Sequence, residues 1–254
     1  MNHQSKIALV TGGSRGLGRD AALALARRGI AVVVTYHTQR EQADLVVGEI
    51  ERSGGRAAAL RLDTGVVASF DGFVSELADL LRDKWNAERI DYLVNNAGIG
   101  ASVPLASTTE EQFDSLMNVH LKGVFFLTQK LLPHLNDNGS IVNLSTGLTR
   151  FTIEGYGAYA AMKGAIEVLT KYMAKELGRR GIRVNAVAPG AIATDFNGGG
   201  LKASEEARKH IGSLIALGRV GEPEDIGGVI ASLVSDEMGW VNGQRIEASG
   251  GMNL

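Results

Sequence analysis

The chain has no cysteine among its 254 residues. Disulfides and thiolate metal sites are therefore excluded, and no metal site is expected from the other residue types; the absence suits a reducing cytoplasm. An excess of charge is missing as well. With 26 Lys and Arg against 28 Asp and Glu, the formal charge is −2, which gives no footprint for nucleic acid or an anionic membrane. Long apolar runs are also absent. A polar lead, residues 1–6, precedes only four apolar residues, 7–10, too few for a signal-peptide core. No run approaches the ~18 residues of a membrane span. There are no repeats, linkers or low-complexity stretches. What remains is a soluble, cytoplasmic, single-domain chain, 44% hydrophobic and 21% charged, with ordinary material for a core.

Strand and helix patterns alternate along the chain. Apolar, β-branched runs at residues 7–10, 30–36, 57–62, 90–94, 140–144, 182–188 and 245–248 read as strands. Helical spacing between them predicts helices to about residue 28 and over 39–52, 66–84, 107–132, 156–180 and 223–235. Such alternation implies a parallel sheet of about seven strands covered on both faces, an α/β doubly wound architecture. Residues 195–217 break the rhythm with Gly198-Gly199-Gly200 and a polar helix. They read as a flap over the site.

The first strand ends in Thr11-Gly12-Gly13-Ser14-Arg15-Gly16-Leu17-Gly18. A helix opening straight after a glycine turn aims free N–H groups and a positive dipole end at that turn, which favours phosphate there. Glycine turns without ligands are frequent, so the motif alone is weak. NAD-binding units carry an acid near the end of the second strand for the ribose 2′-OH. Here that strand leaves through Thr35-Tyr36-His37-Thr38 to Arg40, with no acid before Glu41. A basic exit, with Arg15 in the turn, suits the 2′-phosphate of NADP(H), with NAD(H) as the alternative. Asp63 ends the third strand and Asn95-Asn96-Ala97-Gly98 the fourth. Residues at these carboxyl ends lie in the ligand crevice of an open sheet or form ordinary turns.

Tyr159 and Lys163 are four apart, so on a helix they share one face. A phenol titrates near 10, and a fixed positive charge lowers that value. A drop of about three units, or roughly 4 kcal/mol, would let Tyr159 exchange protons near neutrality. Alone, the pair is commonplace on surface helices. Ser145-Thr146 closes the preceding strand, with Thr146 thirteen residues before the tyrosine.

Together with Asn118 and Pro189-Gly190, these motifs resemble, in order and spacing, the short-chain dehydrogenase/reductase family over essentially the whole chain. The likeness is strongest to 3-oxoacyl-carrier-protein reductases and broad ketone reductases. The resemblance implies a Rossmann-type domain that moves hydride between a nicotinamide and a small-molecule carbonyl or secondary alcohol. By the same resemblance, Tyr159 is the general acid or base and Lys163 lowers its pKa and binds the nicotinamide ribose. Thr146 holds the substrate oxygen, and Asn118 anchors a water leading to Lys163. Gly12, Ser14, Arg15, Gly16, Leu17 and Gly18 meet the phosphates, Asp63 the adenine, and Asn95, with Ala97 and Gly98 beside it, the adenosine ribose. Pro189, Gly190, Ile192 and Thr194 face the carboxamide side. A homotetramer joined through the two long helices is also implied. The competing reading is a non-catalytic NAD(P)-binding regulatory protein on the same fold; the presence of both Tyr159 and Lys163 speaks against it.

Overall fold

The structure, a computed structural model, describes residues 6–254. Most of the polar lead at residues 1–6 therefore lies outside the described residues. Seven strands form one parallel sheet in the order β3-β2-β1-β4-β5-β6-β7. They are β1 (Ile7–Val10), β2 (Ala31–Tyr36), β3 (Ala57–Arg61), β4 (Ile90–Asn95), β5 (Leu135–Leu144), β6 (Arg183–Pro189) and β7 (Arg245–Ala248). The main helices are α1 (Gly16–Arg27), α2 (Arg40–Arg52), α3 (Phe70–Trp85), α4 (Glu110–Met117), α5 (Gly123–Leu131), α6 (Gly157–Leu177), α7 (Gly200–Ala203), α8 (Glu205–Gly212) and α9 (Pro223–Leu233).

Each central strand is buried on both faces, so its two sets of alternating side chains feed two cores. Val10, Val32, Val34 and Val94 pack with α1 and α9 on one side. Leu9, Val33, Leu93 and Ile141 pack with α3, α5 and α6 on the other. The strand order reverses between β1 and β4. That switch point opens a crevice beyond the carboxyl ends of the strands.

Two elements differ from the sequence reading. The strand expected at 140–144 begins five residues earlier, at Leu135, with a register shift against β4 between Ile90 and Tyr92. Left-handed Asn138 sits within it, a conformation asparagine tolerates better than most residues. The helix expected at 107–132 starts at Glu110, where Thr109 and Gln112 form the capping box. It is then interrupted at Asn118–Lys122 by a π-helical turn, in which the Gly123 N–H donates to the Asn118 carbonyl. A Cβ at Gly123 would lie 2.1 Å from the Thr64 carbonyl oxygen. The loop after β3 therefore presses on the helix where the extra residue is accommodated.

Candidate active site

Four loops meet at the crevice, and hydrogen bonds hold them there. Thr11 anchors the first two: its hydroxyl donates to the Val94 carbonyl and accepts from the backbone N–H groups of Asn96 and Ala97. The Asn96 side chain donates back to the Thr11 and Gly12 carbonyls, at 2.8 and 3.2 Å. The fit is too close for side chains. A Cβ at Gly12 would lie 2.9 Å from Ala97 Cα, and one at Gly18 would lie 2.3 Å from the Gly12 carbonyl oxygen. Gly12 and Gly16 also have positive φ, 64° and 54°, which favours glycine.

The N-terminus of α1 fits an anion. Its N-cap, extended Arg15, makes no side-chain capping bond, and the first turn holds no acid. The leading N–H groups are thus left for a ligand phosphate. Ser14 is buried beside them and Arg15 is exposed. Leu17 packs back on the core. Across the crevice, Thr194 Cβ comes within 3.7 Å of where a Gly16 Cβ would stand. Pro189 ends β6, and Gly190 runs so close to Ser249 that a Cβ would meet its Cβ at 2.7 Å. Ile192 bridges Gly221. The glycine turn and the segment 189–194 therefore face one another, a cradle shaped for a dinucleotide.

Three polar side chains near the strand ends have protein partners of their own. Asn95 is turned away from the crevice: its side-chain amide donates to Asn143 Oδ1 at 2.8 Å and Thr128 Oγ1 at 3.2 Å. Alternation puts it on the same strand face as Leu93, towards α5, where its amide ties β4 to β5 and not to a ligand. Asp63 caps its own turn by accepting from the Gly65 N–H, and its other oxygen lies 3.2 Å from His37 Nε2. The end of β2 thus carries a histidine beside an acid. Arg40 is drawn to Asp44, 3.6 Å away on α2, whereas no ion pair joins Arg15 to another described residue.

The reactive end is built by β5 and α6. Tyr159 and Lys163 lie on the buried face of α6. The Thr146 side chain lies beside the Tyr159 phenol and favours its ionised form. Lys163 Nζ donates to the Leu144 carbonyl at 2.6 Å and stands 5.8 Å from the Tyr159 ring centre. Burial decides both titrations. It pushes the phenol well above its ordinary value, against the influence of Thr146, and pushes the Lys163 ammonium down to about 7. In the free protein, burial is the largest influence on both groups. The same burial disfavours the charged form of both groups.

The serine–threonine pair separates cleanly. Ser145 Oγ donates to Glu167 Oε1 at 2.6 Å, away from Tyr159. Thr146 opens a short turn and accepts from the Leu148 N–H at 3.3 Å. Behind it lies a polar cluster that single-residue reading does not find. Arg245 donates to the Thr146 carbonyl, to Thr149 and to Glu167, and also pairs with Glu247. Arg150 joins Glu247 to the carbonyls of Met252 and Asn253. The loop that carries Thr146 is therefore pinned from α6, β7 and the chain end together.

Asn118, expected to anchor a water leading to Lys163, starts the π turn and is half-buried. From that turn it is His120 that reaches the site. Its ring stands edge-on to Tyr159 with centres 5.2 Å apart. Phe196 of the flap approaches Tyr159 to 6.0 Å, and Asn197 donates to the Tyr156 hydroxyl at 3.2 Å. Among the described residues no cluster of three His, Asp or Glu is placed to hold a metal ion. No described helix is long and apolar enough to cross a membrane.

A buried tyrosine, a lysine one helical turn on and a glycine-lined nucleotide cradle define a dinucleotide-dependent oxidoreductase. Comparison with known proteins makes the class specific. A family model described as "Enoyl-(Acyl carrier protein) reductase" matches residues 12–253. The 3-oxoacyl-[acyl-carrier-protein] reductase of Thermotoga maritima is 40% identical over 254 residues, covering 99% of both chains. Among solved structures, the promiscuous reductase LugOII of lugdunomycin biosynthesis matches with a TM-score of 0.94 at 38% identity over 100% of both chains. The angucycline C-6 ketoreductase LanV, solved with bound NADP, gives 0.93 at 38% identity, covering 98% of this chain and 96% of its own. The chain belongs to the short-chain dehydrogenase/reductase family, and it is an NAD(P)-dependent oxidoreductase acting on carbonyl groups.

Proposed function

We propose that the protein is an NADPH-dependent ketone reductase in which Tyr159 protonates the nascent alcohol oxygen. The observation that carries this reading is the placement of Tyr159: it is 8% exposed at the crevice, beside Thr146 and one helical turn from buried Lys163. In reduction the phenol would give its proton to the carbonyl oxygen, and in oxidation the phenolate would take it back. The cofactor would supply hydride to the carbonyl carbon. Thr146 would donate its hydroxyl hydrogen to the carbonyl oxygen, and Lys163 would hold the ribose side of the cofactor and replace the proton Tyr159 gives up. The rim of the crevice is apolar, with exposed Ile99, Ile153 and Phe196, which favours apolar ketones. The test is a panel of cyclic and linear ketones with cofactor absorbance as the readout. Turnover of apolar ketones with NADPH is expected; no turnover in either direction with either cofactor sinks the reading.

Preference for NADPH rests on Arg15, which is exposed at the glycine turn without an ion-pair partner among the described residues, and on the missing acid after β2. A charge-assisted phosphate contact contributes about 1.5–3 kcal/mol. Arg15→Ala is therefore expected to lower kcat/KM for NADPH by at least about tenfold while NADH changes little. A wild-type preference for NADH is the contrary outcome.

Assembly is proposed to be tetrameric through α4, α5 and α6. Phe113, Phe125, Val168 and Tyr172 are exposed on these helices, and large exposed apolar side chains favour a partner. Mass photometry at micromolar concentration is expected to give four times the chain mass; monomer alone refutes it. A cytoplasmic location accords with the lack of cysteine.

A further inference from the structure

One carboxylate oxygen behind the reactive end gathers three hydrogen bonds. Glu167 Oε1 accepts from Ser145 Oγ at 2.6 Å, from Thr149 Oγ1 at 2.7 Å and from Arg245 Nε at 2.7 Å. The donors come from the exit of β5, from the turn that follows it and from β7. The Arg245 and Glu167 side chains are only 22% and 19% exposed, so the pair escapes most of the solvent screening that weakens open surface pairs.

Glu167 follows Tyr159 and Lys163 on α6 at intervals of four. Residues four apart lie one above the other on a helix, so the three side chains run along one side of α6. The helix carries the phenol near its start and this acceptor about two turns later.

The turn itself is held at its backbone as well. The Thr146 carbonyl accepts from Arg245 Nη2 at 3.2 Å and from Thr149 Oγ1 at 3.0 Å. Thr149 has a single hydroxyl hydrogen, for which this carbonyl and the nearer Glu167 compete, whereas Arg245 serves both. Thr146 Oγ1 accepts from the Leu148 N–H at 3.3 Å. Its own hydrogen stays available for a substrate oxygen, at a place beside the Tyr159 phenol.

We propose that Glu167, with Arg245 as its partner, is a positioning residue of the reductase. It fastens the turn 145–149 to α6 and so sets the Thr146 hydroxyl against the Tyr159 phenol. Neither residue touches the reacting atoms, and no bond is made or broken at them. The proposal rests on the reading of Thr146 as the group that holds the substrate oxygen. The hydroxyl that holds the oxygen and the acid that protonates it are then aligned by one helix.

A double-mutant cycle separates this role from support of the fold. A misplacement of about 1 Å can cost about 10²-fold in rate, so Glu167→Ala is expected to lower kcat/KM for a ketone by about tenfold or more. KM for NADPH should change little, and Arg245 keeps Glu247 as a partner, at 2.9 Å. In a Thr146→Val background the hydroxyl is already gone, and the same substitution should cost less than about twofold. Equal losses in the two backgrounds overturn the proposal, because a merely supporting glutamate costs the same whether or not that hydroxyl is present. Glu167→Gln keeps an oxygen in place and should restore most of the rate; a glutamine as damaging as alanine counts against the idea. If Glu167→Ala does not fold, Arg245→Met taken through the same cycle decides in its place. Threonine labelled with ¹³C at its methyl, assigned with Thr146→Val, reports the turn without any turnover. The Thr146 signal should move in the Glu167 or Arg245 variant, and an unmoved signal overturns the proposal. An inactive wild type would count against the reductase reading, and a fully active Thr146→Val against the role of Thr146. Additive losses or an unmoved methyl count against Glu167 alone.

Discussion

Tyr159→Phe is expected to lower kcat by about 10²–10⁴-fold, the usual contribution of a positioned general acid, and to leave cofactor affinity nearly unchanged. The substitution removes one oxygen from a side chain that is 8% exposed and packed on His120, so the ring contacts persist. The Thr146 hydroxyl keeps the Leu148 N–H as its donor. Stability should therefore move little. Because burial holds the phenol protonated, the wild-type rate of reduction should not fall between pH 6 and 8 through loss of the Tyr159 proton. Steady-state rates and NADPH fluorescence titration across that range check both statements. More than a tenth of wild-type kcat in the variant would take the acid role away from Tyr159.

The second large effect is expected at Thr146. Thr146→Val is nearly isosteric and lacks only the hydroxyl that faces Tyr159. A lost oxyanion donor typically lowers the rate by about 10²–10³-fold, so kcat/KM is expected to drop by about 10²-fold or more. Ser145→Ala should affect the rate far less, because Ser145 donates to Glu167 and not towards the phenol. Its consequence is structural: Glu167 keeps Thr149 and Arg245 as partners, at 2.7 Å each, and thermal unfolding is expected to shift modestly. Thr146→Ser retains the donor and should keep most activity. A larger loss in Ser145→Ala than in Thr146→Val would exchange the two roles.

The parts of this molecule that were legible beforehand are those with a local cause. The strands showed as β-branched runs, the glycine turn as a spacing, and the Tyr159–Lys163 pair as a helical interval. Register placed Thr146 thirteen residues before Tyr159, and in the structure Ser145 Oγ donates to Glu167. What was not legible depends on direction and burial. Asn95 follows the last apolar residues of β4, and nothing in its neighbours says which face its amide takes; the buried acceptor Asn143 on β5 decides it. The Lys163 charge invites the inference of a lowered phenol pKa, but the sequence carries no measure of desolvation. In the fold, that effect outweighs the charge. Arg245 and Glu247 are far from Thr146 in sequence, and only the pairing of β6 with β7 brings them behind it.

The π-helical turn at Asn118–Lys122 has a geometric effect of its own. Each residue of an α-helix advances the direction of its side chain by about 100°, and a π turn fits one more residue into its loop of backbone. α5 is therefore rotated out of phase with α4, by about the angle of a single residue. No one helical wheel describes both. Extrapolating the apolar stripe of α4 past Met117 assigns inside and outside wrongly by the time it reaches the crevice. Asn118 is only partly buried, while His120 two positions later is sealed in. A deletion of one residue within 118–122 that restored a regular helix would swing the segment's inner side chain away from Tyr159 without changing any residue of the crevice itself.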